Sequence, residues 1–84
     1  MKKIYILADS YNREIFMTKY DTHEEAFQAM KNELDNVLGF DSMNNDEAAA
    51  SGYERGFDYD ICDLSAWANA KHSDNDWYIQ CFEV

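Results

Sequence analysis

The sequence predicts an α+β fold in which one amphipathic helix covers one face of an antiparallel sheet of about four strands, in the order β-β-α-β-β. Three observations predict it: an apolar run near the N-terminus, a capped helix at the centre, and an aromatic run at the C-terminus. The 84 residues suffice for a single domain, 1–84, with a small core. The aromatic content argues against disorder, because disordered acidic chains are poor in aromatic residues.

The first two strands are predicted to form a hairpin. Residues 3–8 (KIYILA) are apolar on both faces, as is typical of a buried strand. Residues 9–12 (DSYN) form a turn cluster, and residues 14–20 (EIFMTKY) follow as the second strand. Because the first strand is apolar on both sides and the helix covers only one face of the sheet, we expect exposed aromatic residues on the other face, where a contiguous patch would mark a partner or dimer surface.

The helix is predicted over residues 23–38. Thr22 and Glu25 have the spacing of a capping box, in which each residue satisfies a free amide of the first turn. Gly39 stands where a left-handed C-terminal cap is expected. One apolar stripe follows the helical repeat and consists of Phe27, Met30, Leu34, Val37 and Leu38.

Two stretches in the second half of the chain each allow two interpretations. Residues 44–56 either contain a short helix through the three alanines or form a loop. Residues 61–68 fit both a strand and a helix, and the strand is favoured because turn residues in 69–76 would close a hairpin with the strand 77–84. In that hairpin Trp67 lies nearly opposite Trp77, and the Cys62 thiol faces that of Cys81.

Negative charge dominates the chain beyond residue 20. The net charge is −10, and residues 21–84 hold fifteen acidic side chains against three basic ones. Such an excess repels nucleic acid and anionic membranes and attracts basic partners. We therefore expect no direct binding to nucleic acid or to a membrane.

The acidic excess is concentrated in residues 41–63, the acidic segment, which has seven acids and one base. The leading hypothesis is a non-enzymatic binding protein whose acidic segment engages a basic protein partner, in its sharpest form by imitating DNA phosphates. In charge and size alone the chain is similar to small acidic inhibitors from phages and mobile elements. The alternative is that the charge only keeps the protein soluble. The predicted partner-binding residues are Asp41, Asp46, Glu47, Glu54, Asp58, Asp60 and Asp63.

No catalytic or cofactor motif is present in the sequence. No G-x-S-x-G elbow frames any serine, and there is no glycine-rich phosphate loop. His23 at the start of the predicted helix and His72 in a loop are not positioned as general bases. We predict no enzyme, no cofactor and no metal. The runner-up function is a small ligand- or divalent-metal-binding domain that uses Asp58, Asp60 and Asp63 or the loop 72–76. A third hypothesis is a homodimer through the aromatic sheet face.

The expected location is the cytoplasm. The apolar run near the N-terminus ends at Ala8, which is too short for a signal peptide, and no segment has the length of a membrane span. Cys62 and Cys81 lack a CxxC spacing and are predicted to be two buried, reduced thiols.

Overall fold

Two helices lie on one side of an antiparallel sheet in the computed structural model, which describes residues 2–11, 14–70 and 73–84. The strands in these residues are β1 (Lys3–Tyr11), β2 (Glu14–Tyr20), β3 (Tyr59–Ile61), β4 (Ser65–Ala70) and β5 (Ser73–Glu83). The helices are α1 (His23–Leu38) and α2 (Asn45–Ala50). The strand order is β2-β1-β5-β4-β3, and every neighbouring pair is antiparallel. The predicted α+β class is confirmed, with a fifth strand.

Helix α1 has the predicted bounds. The Thr22 hydroxyl accepts a hydrogen bond from the Glu25 amide at 3.1 Å, and Gly39 ends the helix at a φ of 85°. Met30, Leu34 and Leu38 are buried against the sheet, while Phe27 and Val37 flank them at the edge of the core. The predicted apolar stripe is therefore the face that α1 packs on the sheet.

The N-terminal hairpin forms with a longer first strand than predicted. β1 continues through Asp9 to Tyr11, residues that the sequence assigned to a turn, and Asn12 lies outside the described residues. The ladder pairs Tyr5 with Tyr20 and extends to Tyr11 opposite Glu14. Pairing with both β2 and β5 extends the strand, because each side of β1 has a partner for its backbone groups.

The predicted strand over residues 61–68 is in fact divided by a tight turn. The Cys62 amide donates to the Ser65 carbonyl at 2.7 Å, so the chain reverses between β3 and β4. This turn produces the fifth strand and takes Cys62 away from the position opposite Cys81. Both thiols are exposed, so the prediction of buried cysteines was wrong.

The two tryptophans lie on opposite faces of the sheet. Trp77 pairs with Ala66, and Trp67 pairs with Asp76, one residue out of step with the predicted juxtaposition. A one-residue offset reverses the face that a side chain occupies. Trp77 is 1% exposed in the core beside α1, whereas Trp67 lies half-buried on the far side.

Candidate functional site

The acidic segment folds as α2 followed by a turn that leads into β3. The Asn44 side chain caps α2 by accepting hydrogen bonds from the amides of Asp46 and Glu47. Ala48 is buried in the main core, and the Tyr59 hydroxyl donates to the buried Ser42 carbonyl at 3.1 Å. These contacts hold the acidic segment on the helix side of the sheet, next to the edge strand β3.

Both basic residues near the acidic segment are already paired with carboxylates. Lys31 Nζ lies 2.8 Å from Asp35 and 2.9 Å from Asp41, and Arg55 Nε lies 3.0 Å from Asp60. The hydrogen bond from Lys31 lowers the pKa of Asp41. Two of the seven predicted partner-binding carboxylates are thus engaged within the protein.

A third predicted residue also has an internal role. Asp58 Oδ2 accepts a hydrogen bond from the Glu54 amide at 2.8 Å, which closes the turn before β3. The other four carboxylates are on exposed residues that make no ion pair within the described residues: Asp46, Glu47, Glu54 and Asp63. The acidic segment therefore divides into three structural carboxylates and four that face solvent.

The residues nominated for a divalent metal are not gathered into a ligand set. Asp60 faces the Arg55 guanidinium, and Asp58 is bonded to its own turn. No group of three or more acidic, histidine or cysteine side chains suited to a metal occurs in the described part of the chain. His72, the first residue of the alternative loop, lies outside the described residues.

Sequence reasoning missed a pair of carboxyl groups between the sheet and α1. Asp9 on β1 and Glu33 on α1 lie close together, and both lie near the indole nitrogen of Trp77. Burial raises the pKa of Asp9; burial, followed by the neighbouring Asp9 carboxylate, raises the pKa of Glu33. Asp9 Oδ1, Glu33 Oε2 and Trp77 Nε1 are buried and lack a hydrogen bond of good geometry to the described residues.

His23 has a structural contact that its sequence position did not indicate. Its Nε2 lies 2.7 Å from the carbonyl oxygen of Asp63, to which it donates, and its ring packs between Tyr5 and Phe27. This contact fixes the N-terminus of α1 against the turn between β3 and β4. The histidine therefore holds the backbone of Asp63 at a defined position beside α1.

On the sheet surface opposite α1, here called the open face, an apolar patch lies among polar side chains. The ladder places on it Ile4, Ile6, Ala8, Ile15, Met17, Trp67, Tyr78 and Phe82. Neither helix of the described residues covers this face, and Ile15, Met17, Tyr78 and Phe82 are 66%, 71%, 55% and 45% exposed. The sequence predicted this patch from the apolar residues on both sides of the first strand.

Comparison of the chain with protein-family models, with curated proteins and with solved structures found no match. No helix within residues 2–11, 14–70 and 73–84 is long and apolar enough to cross a membrane.

Proposed function

We propose that this protein is a non-enzymatic binding protein whose acidic segment engages a basic surface on a protein partner. The observation that supports this most strongly is that the basic side chains of this region are already paired with carboxylates. Lys31 and Arg55 are the only basic residues between positions 21 and 70, and both already contact carboxylates. Within the described residues, the exposed carboxylates of this region make no ion pair with a lysine or arginine.

Four carboxylates carry the proposed contact: Asp46, Glu47, Glu54 and Asp63. Asp46 and Glu47 lie in the first turn of α2, and Glu54 borders the same surface hollow as Asn45 at the start of that helix. A concentrated negative surface attracts a basic partner over about one Debye length, roughly 8 Å at physiological salt, and orients its approach. Asp41, Asp58 and Asp60 instead hold the acidic segment in shape.

The sharpest form of this proposal is a protein that imitates DNA. In this form the partner is a nucleic-acid-binding protein. The four carboxylates form ion pairs with the partner's lysines and arginines, which otherwise neutralise DNA phosphates. Binding of the partner to this protein and to duplex DNA would then be mutually exclusive. This exclusion separates a DNA mimic from a general acidic interaction surface.

The test uses the immobilised protein to retain basic proteins from a bacterial lysate, with elution by salt and by duplex DNA. A quadruple variant, Asp46→Asn, Glu47→Gln, Glu54→Gln and Asp63→Asn, removes the four free carboxylates at nearly constant shape. We expect the variant to lose the proteins that the wild type retains, and duplex DNA to displace them from the wild type.

A matched control removes four exposed carboxylates elsewhere: Glu14→Gln, Asp21→Asn, Glu24→Gln and Glu83→Gln. It has the same net charge as the quadruple variant and should retain the partner. Equal retention by the wild type and both variants would contradict the proposal, as would equal loss in both variants. Retention that salt abolishes but DNA does not would contradict the DNA-mimic form alone.

A further inference from the structure

The open face has a charge gradient along its strands. Lys2 extends the pairing of β1 with β5 through two backbone hydrogen bonds to Val84, and alternation places its side chain on the open face with Ile4. Lys19 lies on the same face, opposite Ile6. The other end of β5 carries Asp74 and Asp76. Among the described residues, the apolar side chains of this face thus lie between a basic end and an acidic end.

We propose that the open face binds a second copy of this chain, face to face, about a two-fold axis perpendicular to the strands. This operation reverses the strand direction of the second copy and superimposes the apolar centres. The basic end of each copy then lies over the acidic end of the other, with Lys2 of one chain near Asp74 of the second. Such an isologous contact forms both ion pairs at once.

The apolar part of the open face, on the β2 side of the sheet, has the shape to receive side chains from another copy. A hollow of about 330 Å³ lies between β2, β1 and β5 and is bordered by Ile6, Ala8, Met17 and Phe82. Neighbouring exposed side chains, Tyr78 and Ile15, project from the same surface. Hollows and projections on one surface allow the two copies to interdigitate, as packed sheets do about 10 Å apart.

The available area meets the requirement of a specific dimer. Five strands spaced about 4.8 Å apart and about seven residues long span roughly 24 by 23 Å. One copy therefore contributes roughly 550 Å² and the pair roughly 1,100 Å², against a threshold of about 1,000 Å² for a specific interface. The burial of apolar surface on this scale is the main force that favours association.

The net charge of −10 on each copy opposes association, but part of it lies away from the open face. Asp46 and Glu47 lie in α2 on the helix side of the sheet, and His23 holds the Asp63 backbone beside α1. In the proposed dimer the two helix layers lie on the outside, separated by both sheets. Exposed charges at that separation are largely screened at physiological salt.

The experiment is sedimentation equilibrium of the full chain at concentrations from roughly 1 to 300 µM, the range expected for an interface of modest size. We expect twice the chain mass at the upper end, and persistence of the dimer in about 1 M salt, where surface charges are screened within about 3 Å. Met17→Asp should weaken the dimer at least about tenfold, because the substitution places a desolvated charge in the apolar part of the open face.

Two further sets of variants test whether dimerisation uses the open face and the proposed antiparallel arrangement. Phe57→Asp changes a residue that is also highly exposed but lies in the turn before β3, so it should leave the dimer unchanged. Lys2→Glu should weaken the dimer by bringing like charges together, and Lys2→Glu combined with Asp74→Lys should restore it. Restoration by the double charge reversal is specific to the proposed antiparallel arrangement.

A wild-type chain that remains monomeric at every concentration overturns the proposal. A monomer whose open face binds detergent micelles would overturn it as well. Equal weakening by Met17→Asp and Phe57→Asp also overturns it. The result is independent of the proposed function, because Met17→Asp and Lys2→Glu leave the acidic segment intact. If the quadruple variant loses the basic partner but still dimerises like the wild type, the proposed function and the dimer are each supported separately.

Discussion

At the scale of single residues, the Asp9–Glu33 carboxyl pair is an unfavourable arrangement beside the core. Two carboxylates close together in a poorly solvated site repel each other, so the pair is most stable when it holds a proton. The nearby Trp77 N–H partly offsets this by lowering the pKa of both groups, but burial has the larger effect. These three residues come from β1, α1 and β5, so sequence spacing gave no sign of their proximity.

The carboxyl pair makes stability dependent on pH. Both pKa values are higher in the folded than in the unfolded chain, so the folded state binds protons more tightly. The contribution of the pair is fully present below the unfolded carboxyl pKa of about 4 and is lost as pH rises through the raised folded values. Glu33→Gln should increase the thermal midpoint at pH 7 and flatten its decline between about pH 4 and 7.

Thermal unfolding monitored by circular dichroism across that pH range tests this prediction. Glu24→Gln, which removes an exposed carboxylate from the same helix, is the matched control and should leave the pH profile of the wild type unchanged. A Glu33→Gln variant that is less stable than the wild type at pH 7 would contradict the account of the pair.

At the scale of secondary structure, local signals determine α1 and long-range pairing determines the C-terminal strands. Thr22 and Gly39 act on their own turns, so the bounds of α1 could be read from the sequence. The turn between β3 and β4 contains no glycine or asparagine and depends on pairing with β5, so the single predicted strand is two strands in the fold. The placement of Trp67 and Trp77 on opposite faces of the sheet follows from the register of β4 with β5.

Gly39 makes a testable contribution to α1. A Cβ at this position would meet no atom within 4 Å, so the cost of Gly39→Ala comes only from the left-handed backbone. We expect a loss of about 1–2 kcal/mol in the free energy of unfolding, measured by urea denaturation. Gly39→Asn should lose less, because asparagine tolerates this conformation better. Equal losses in the two variants would argue against backbone strain as the cause.

Tyr59 fixes the acidic segment through one buried hydrogen bond. Burial raises the pKa of the Tyr59 phenol, which therefore remains a donor to the Ser42 carbonyl. Tyr59→Phe leaves that buried carbonyl without its partner and should cost about 1–3 kcal/mol. Hydrogen exchange should then accelerate in residues 41–58 more than in α1. Equal acceleration of hydrogen exchange in residues 41–58 and in α1 would contradict this local role of Tyr59.

At the scale of the whole molecule, the two candidate surfaces lie on opposite sides of the sheet. Asp46 and Glu47 lie in α2 on the helix side, and the apolar part of the open face is centred on β1. Composition predicted both surfaces, because acids and apolar strand residues are visible in the sequence. It did not predict that Asp41, Asp58 and Asp60 are used internally, since their partners depend on the fold.

The most direct test of the central claim is the affinity of a retained basic partner for the wild type, the quadruple variant and the matched control. We expect the quadruple variant to bind at least about tenfold more weakly, equivalent to about 1.4 kcal/mol, with a shallower dependence on salt. The control should bind like the wild type. Equal affinities for both variants would contradict a specific acidic binding surface and leave the charge as a general property of the molecule.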